Sequence, residues 1–229
     1  MNVIDIIILV FLGFGALVGL KRGFTRQLVS LVGIFVILIL SFLLKNPVSV
    51  FLYNNLPFFN FGGIFKDITV LNILVYEIFA FLIVFFVLTI IFKILVKLTS
   101  IFEKILNATI ILGIPSKILG AILGIVQNLI YAFIILYILS LPMFNFNILK
   151  ESKVSNMILD KTPVLNIICD ESIEVFNEIF ELKKEYENTT NVKKFNQKAL
   201  DIMIEKGIIT KENVKILIDK GKIKGVSVK

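Results

Sequence analysis

Long apolar runs, separated by short clusters of charge, set the rhythm of this chain. Four of them, at residues 3–20, 28–44, 73–92 and 118–141, come close to the twenty or so apolar residues a helix needs to cross roughly 30 Å of hydrocarbon. The pattern predicts an all-α membrane protein with four transmembrane helices. The first two runs are joined only by "KRGFTRQ", residues 21–27, so they pair as an antiparallel hairpin. Pro142 ends the fourth.

The other two connections have a different texture. Residues 45–67, "KNPVSVFLYNNLPFFNFGGIFKD", are aromatic but punctuated by Pro47, Pro57, Gly62 and Gly63, a spacing that argues against a fifth span. A non-helical aromatic segment belongs at the membrane interface or against protein, because in lipid its backbone polar groups would lack partners. Residues 93–117 place apolar side chains at helical spacing with lysines opposite, the pattern of an interfacial amphipathic helix.

Beyond Pro142 the chemistry changes. Residues 150–229 hold 15 of the 24 Lys and Arg and 13 of the 17 Asp and Glu. Ile173, Phe176, Ile179 and Phe180 mark one amphipathic helix. Two shorter helices follow, with Thr210 as an N-cap and Gly207 and Gly221 as C-terminal stops. The expected organisation is a four-span membrane domain over 1–145, a helical extension over 146–185 and a small helical C-terminal tail over 186–229. Overall 57% of residues are hydrophobic and the mean hydropathy is +0.93, above an ordinary soluble domain. The N-terminus does not read as a cleavable signal: Asp5 precedes the apolar core, and Lys21 and Arg22 follow it.

Within the spans, small and polar residues are the candidates for function. Gly15, Gly19 and Gly23 recur at four-residue intervals, Gly120 and Gly124 repeat that spacing in the fourth run, and Gly33 lies in the second. Such a face admits a second helix at close range, and it serves equally for static packing or for a contact that moves. Asp5 and Glu77 each sit fifteen uncharged residues from the next cation, Lys21 and Lys93 respectively. That is about 22 Å of helix, less than the hydrocarbon layer. Both acids therefore lie at or inside the membrane boundary, where a carboxylate is a functional candidate or a solvated interfacial group. The expected topology puts both toward the outer face, where they can share a site. Gln127 and Asn128 fall near the centre of the fourth run and suit interhelical hydrogen bonds or a polar path.

Catalysis is not expected. No His is present, which removes the usual near-neutral base and most metal sites, and Cys169 is the single thiol. No phosphate loop, dinucleotide fingerprint or nucleophile elbow occurs, and no cofactor is expected. The net charge of +7 does not point to nucleic acid. The tail contributes 15 minus 13, or +2, and the rest lies beside the membrane, where anionic lipid headgroups are the natural counter-charge.

"IDIIILVFLGFGALVGLKRGFTRQLVSLVG" and "IPSKILGAILGIVQNLIYAFIILYILSLP" together resemble the bacterial CvpA family, the colicin V production proteins. The resemblance rests on Asp5, on the turn Gly19, Arg22, Gly23 and Phe24, on Gly33, and on Gly120 and Gly124; it covers about residues 1–170. Gln27 stands where relatives commonly carry an acid, so a salt bridge within the turn Lys21, Arg22 and Arg26 is not expected here. The resemblance implies a multi-pass protein of the bacterial cytoplasmic membrane, linked to toxin production or export and to envelope maintenance, with extracytoplasmic protease domains after the fourth span in some relatives.

Charge gives the expected orientation. Lys21, Arg22, Arg26, Lys93, Lys97, Lys104 and Lys117 fall on one side, against Lys45 and Lys66 on the other. The first side is cytoplasmic by the positive-inside rule, and both termini are extracytoplasmic. Two functional classes follow. One is a scaffold or accessory protein, with a membrane or envelope protein as partner and homo-oligomers within reach. The other is a small oligomeric transporter or channel using Asp5 and Glu77.

Overall fold

The computed structural model describes residues 2–60, 68–98, 113–140, 147–161, 175, 177–182, 186 and 192–228. Its helices are α1 (Val3–Asn55), α2 (Leu71–Leu98), α3 (Gly113–Ser140), α4 (Asn147–Lys150), α5 (Lys153–Asp160), α6 (Val192–Glu205) and α7 (Lys211–Asp219). No strand occurs among the described residues. Three helices, α1 to α3, are long and apolar enough to cross a membrane.

The first two predicted spans are contained in the 53 residues of α1. A straight helix of that length would measure about 80 Å, but α1 is not straight. Gly23 breaks it with φ 74° and ψ 173°, backbone angles open essentially to glycine alone. Asn128 Nδ2 donates to the Phe11 carbonyl at 2.7 Å, while Gln27 Nε2 donates to Gln127 Oε1 at 2.6 Å. Adjacent residues of α3 thus reach two points of α1 that an unbroken helix would hold about 24 Å apart. The chain folds back at Gly23 into two arms, residues 3–22 and 24–55. The break also exposes a new helix start, and the Phe24 N–H donates to Ser116 Oγ of α3 at 3.1 Å, satisfying one of the donors a helix N-terminus leaves open.

The second connection departs from its sequence reading. Residues 45–55, expected to be non-helical, continue α1, with Pro47 inside it; residues 61–67 lie outside the described set. Proline removes one backbone donor and crowds the carbonyl four residues back, but burial on one face holds the helix together. Lys45, Ser49, Leu52 and Tyr53 are all buried. The expected interfacial helix over 93–117 is divided as well. Its first residues extend α2 to Leu98 and its last begin α3 at Gly113, while 99–112 are outside the described set.

The chain forms two compact units. The first comprises Met1–Ser41 with Phe85–Ile167, the second Phe42–Val84 with Ile168–Lys229. In the first, Ile34, Ile37, Leu38, Ile130, Phe133 and Leu136 are buried together as the apolar core. The outer faces stay apolar too: Ile7, Val10, Phe14 and Leu17 are more than half exposed, which suits a surface solvated by lipid tails.

In the second unit, α6 and α7 bury Leu200, Met203, Val214 and Leu217. Thr210 Oγ1 accepts from the Asn213 N–H at 3.3 Å, capping α7. Gly207 and Gly221 adopt positive φ, and the following N–H groups of Ile208 and Lys222 return to the Met203 and Leu217 carbonyls, closing both helices as glycine stops do. The tail also grips the end of α1. Lys222 Nζ donates to the carbonyls of Tyr53 at 2.6 Å and Leu56 at 2.9 Å, and Lys220 Nζ to that of Asn54 at 3.2 Å. Two cations thereby occupy the negative end of a helix dipole and its open carbonyls. Burial, and then the neighbouring Lys220 charge, set the Lys222 ammonium below the ordinary lysine range.

Candidate functional site: glycine contact, buried polar groups and a cation-rimmed cavity

The first arm of α1 runs antiparallel to α3, with Phe11, Gly15 and Gly19 meeting Asn128, Gly124 and Gly120 in that order. A Cβ built on Gly19 would strike the Gly120 carbonyl, one on Gly120 the Gly19 carbonyl, and one on Gly124 the Gly15 carbonyl. These obstacles are backbone, so the two helices touch main chain to main chain. Gly33 faces a different partner: a Cβ there would meet the ring of Phe92 in α2. Gly23 forms the turn itself.

Asp5 is fully buried and serves two helix starts at once. Its Oδ2 accepts the Asn2 N–H at 2.7 Å, while Asn2 Oδ1 accepts the Asp5 N–H at 3.0 Å, a reciprocal cap on α1. Its Oδ1 accepts from Ser152 Oγ at 2.6 Å and from the Val154 N–H at 3.0 Å. Ser152 is the N-cap of α5, its Oγ accepting the Ser155 N–H. One carboxylate therefore ties the beginning of the chain to residues 152–154.

Glu77 has a separate set of neighbours. It is buried in α2 and its Oε2 lies 2.9 Å from Lys45 Nζ, both side chains below one-tenth exposed. Lys45 also lies over the Phe42 ring, 4.7 Å from its centroid. Each acid has its own partners: Asp5 is held by Asn2, Ser152 and Val154, and Glu77 by Lys45 of α1. A buried carboxylate beside a buried ammonium is stable only as a pair, since removing either partner leaves an uncompensated charge.

Gln127 and Asn128 point to different arms of α1. Asn128 binds the Phe11 carbonyl, whereas Gln127 accepts from Gln27 and donates to Tyr131 Oη at 3.3 Å. Gln27, at the end of the basic turn, turns inward and is 2% exposed. Beside it lies a cavity of about 430 Å³, lined by both arms of α1 together with α2 and α3. Among the described residues Arg22, Arg26 and Lys93 are its charged lining, and no acid contributes. Lys21, in the same turn, is outside it.

Several of these partners were not visible as such in the sequence. Ser116, Ser152 and Lys45 carry no motif. Ser152 alone gave a signal, as a serine just ahead of the short amphipathic run at 153–160.

Helices of this length and apolarity, with exposed hydrocarbon faces, define a multi-pass integral membrane protein. The chain belongs to the colicin V production protein family, whose profile matches residues 4–163. It is also 30% identical over 181 residues to the uncharacterized transmembrane protein YshB of Bacillus subtilis (strain 168), covering 73% of this chain and 96% of that one. No solved structure matches. The family match takes in the Gly23 turn, the glycine contact, Asp5 with Ser152 and Val154, and the whole cavity lining, and leaves Asn2, α6 and α7 beyond it.

Proposed function

We propose that the protein is a non-enzymatic scaffold or accessory protein of the bacterial cytoplasmic membrane. In this reading it acts in toxin production or export of the colicin V type and in envelope maintenance. The family's name supplies the toxin link. The observation that carries the scaffold role is the use of the intramembrane acids. Asp5 is committed to two helix caps and Glu77 to an ion pair with Lys45, so neither is left to relay an ion. The transporter alternative needs at least one of them free.

In this reading α1 crosses the membrane twice, which brings the crossings to four. Its turn, with Lys21, Arg22 and Arg26, lies at the cytoplasmic leaflet among anionic headgroups, and both termini lie outside. The tail, anchored to the end of α1 by Lys220 and Lys222, presents the surface for an envelope partner. The backbone-tight glycine faces hold each protomer rigid, a suitable unit for homo-oligomers.

Two measurements test this. Proteoliposomes containing the protein should pass protons and monovalent ions no faster than empty liposomes, and Glu77→Gln should change nothing. A flux that Glu77→Gln abolishes would replace the scaffold with a transporter. Cys169, which lies outside the described residues, reports orientation as the single thiol. A membrane-impermeant maleimide should label it in intact cells as well as in broken membranes; labelling only after breakage would put the tail in the cytoplasm.

A further inference from the structure

We infer that the cavity beside the Gly23 turn is a binding site for one anionic phospholipid, with the phosphate on Arg22, Arg26 and Lys93 and an acyl chain along Ile34 and Ile37. The three cations come from three different stretches of helix, the two arms of α1 and the end of α2, and converge on one opening. Among the described residues no acid lines the cavity, and none of the three cations has an ion-pair partner. All three are exposed at the rim. Such a ring attracts a phosphate and leaves a cationic ligand unfavoured.

Depth adds a second requirement. Ile34 and Ile37 lie eight and eleven residues beyond Arg26 on the same arm, about 12–16 Å further along the helix axis. The ligand is therefore charged at one end and apolar at the other. Between the ends, the wall carries polar atoms with no partner. Gln27 Oε1 and Thr89 Oγ1 are buried and unbonded, a condition that native interiors rarely leave unexplained. A glycerol hydroxyl and ester carbonyl next to a phosphate offer the donor and acceptor these two atoms lack. The volume falls within the range of about 300–1,000 Å³ typical of small-ligand sites.

This inference goes beyond the scaffold reading and does not depend on it, since lipid retention and ion flux are separate measurements. The full-length protein, purified in mild detergent, is titrated by native mass spectrometry with phosphatidylglycerol, with phosphatidylcholine of the same chains, and with glycerol 3-phosphate as the headgroup alone. One phosphatidylglycerol should be retained per chain, at least tenfold more tightly than phosphatidylcholine, and glycerol 3-phosphate should not be retained at the same concentration. Arg26→Gln with Lys93→Gln should weaken retention at least tenfold. Val29→Trp, which fills the cavity and leaves the charge intact, should do the same. Lys21→Gln, which removes a charge from the turn but not from the cavity, should have no effect. Equal retention of the two lipids would overturn the site, as would equal weakening by Lys21→Gln or unchanged retention in Val29→Trp. Glycerol 3-phosphate held as tightly as the lipid would reassign the cavity to free phosphate esters. Should the charge variant elute aggregated, the Val29→Trp and Lys21→Gln pair decides alone.

Discussion

Gly120→Leu and Gly19→Leu each lower the melting temperature of the detergent-solubilised protein by several degrees and reduce its monodisperse yield. Gly13→Leu, in the same arm as Gly19, leaves both unchanged. The contrast follows from what a side chain meets at each position. At Gly19 and Gly120 the obstacle is the facing helix's own carbonyl, which no rotamer change can move, so the helices must separate. Overpacking of this kind typically costs about 1–3 kcal/mol, and the separation also gives up the close contacts on which helix association in lipid depends. At Gly13 nothing lies within 4 Å, and leucine is the better helix former. Thermal unfolding followed by size-exclusion chromatography reads the difference; equal stability of all three variants would show that the glycine contact holds nothing together.

Asp5→Ala releases the start of α5. Amide hydrogen exchange over residues 152–160 should accelerate on the order of tenfold or more, because Ser152 Oγ and the Val154 N–H lose a charged, buried acceptor. Asp5→Asn should give an intermediate rate. Its amide oxygen can still accept from Ser152 and Val154, but its NH₂ would then face the Asn2 N–H, donor against donor. Exchange over α3 should change little in either variant. If Asp5→Ala leaves the 152–160 amides as protected as before, the carboxylate is not the clasp described above, and an ionic role for it returns to consideration.

How much of this was legible depends on how far apart the interacting residues lie in the chain. The glycine series could be read because four-residue spacing places Gly15 and Gly19 on one helix face regardless of what packs there. The turn at Gly23 could be read because three cations in seven residues cannot stay in hydrocarbon. The partners of Asp5 could not, since Ser152 is 147 residues away and a lone serine before a short helix is common. Lys45 was misplaced for a physical reason. Pro47 looks like a helix end in water, whereas in a packed apolar helix the loss of one hydrogen bond is tolerated and the lysine beside it is carried inside to Glu77. Lys220 and Lys222 carry no sign of their partners in the sequence, because the carbonyls they cap are open only where α1 ends at Asn55.

The contact between Gly19 and Gly120 also fixes an order of events at the ribosome. The two residues are 120 minus 19, or 101, positions apart, so at about 5–20 residues per second the first arm waits roughly 5–20 s for its partner to be made. Ser152 arrives later still. Throughout that interval the first arm has its glycine face open and Asp5 is without its distant donors. Assembly of these helices is thus a delayed closure, in which the first arm of α1 gains its contacts only after α3 and Ser152 have been made.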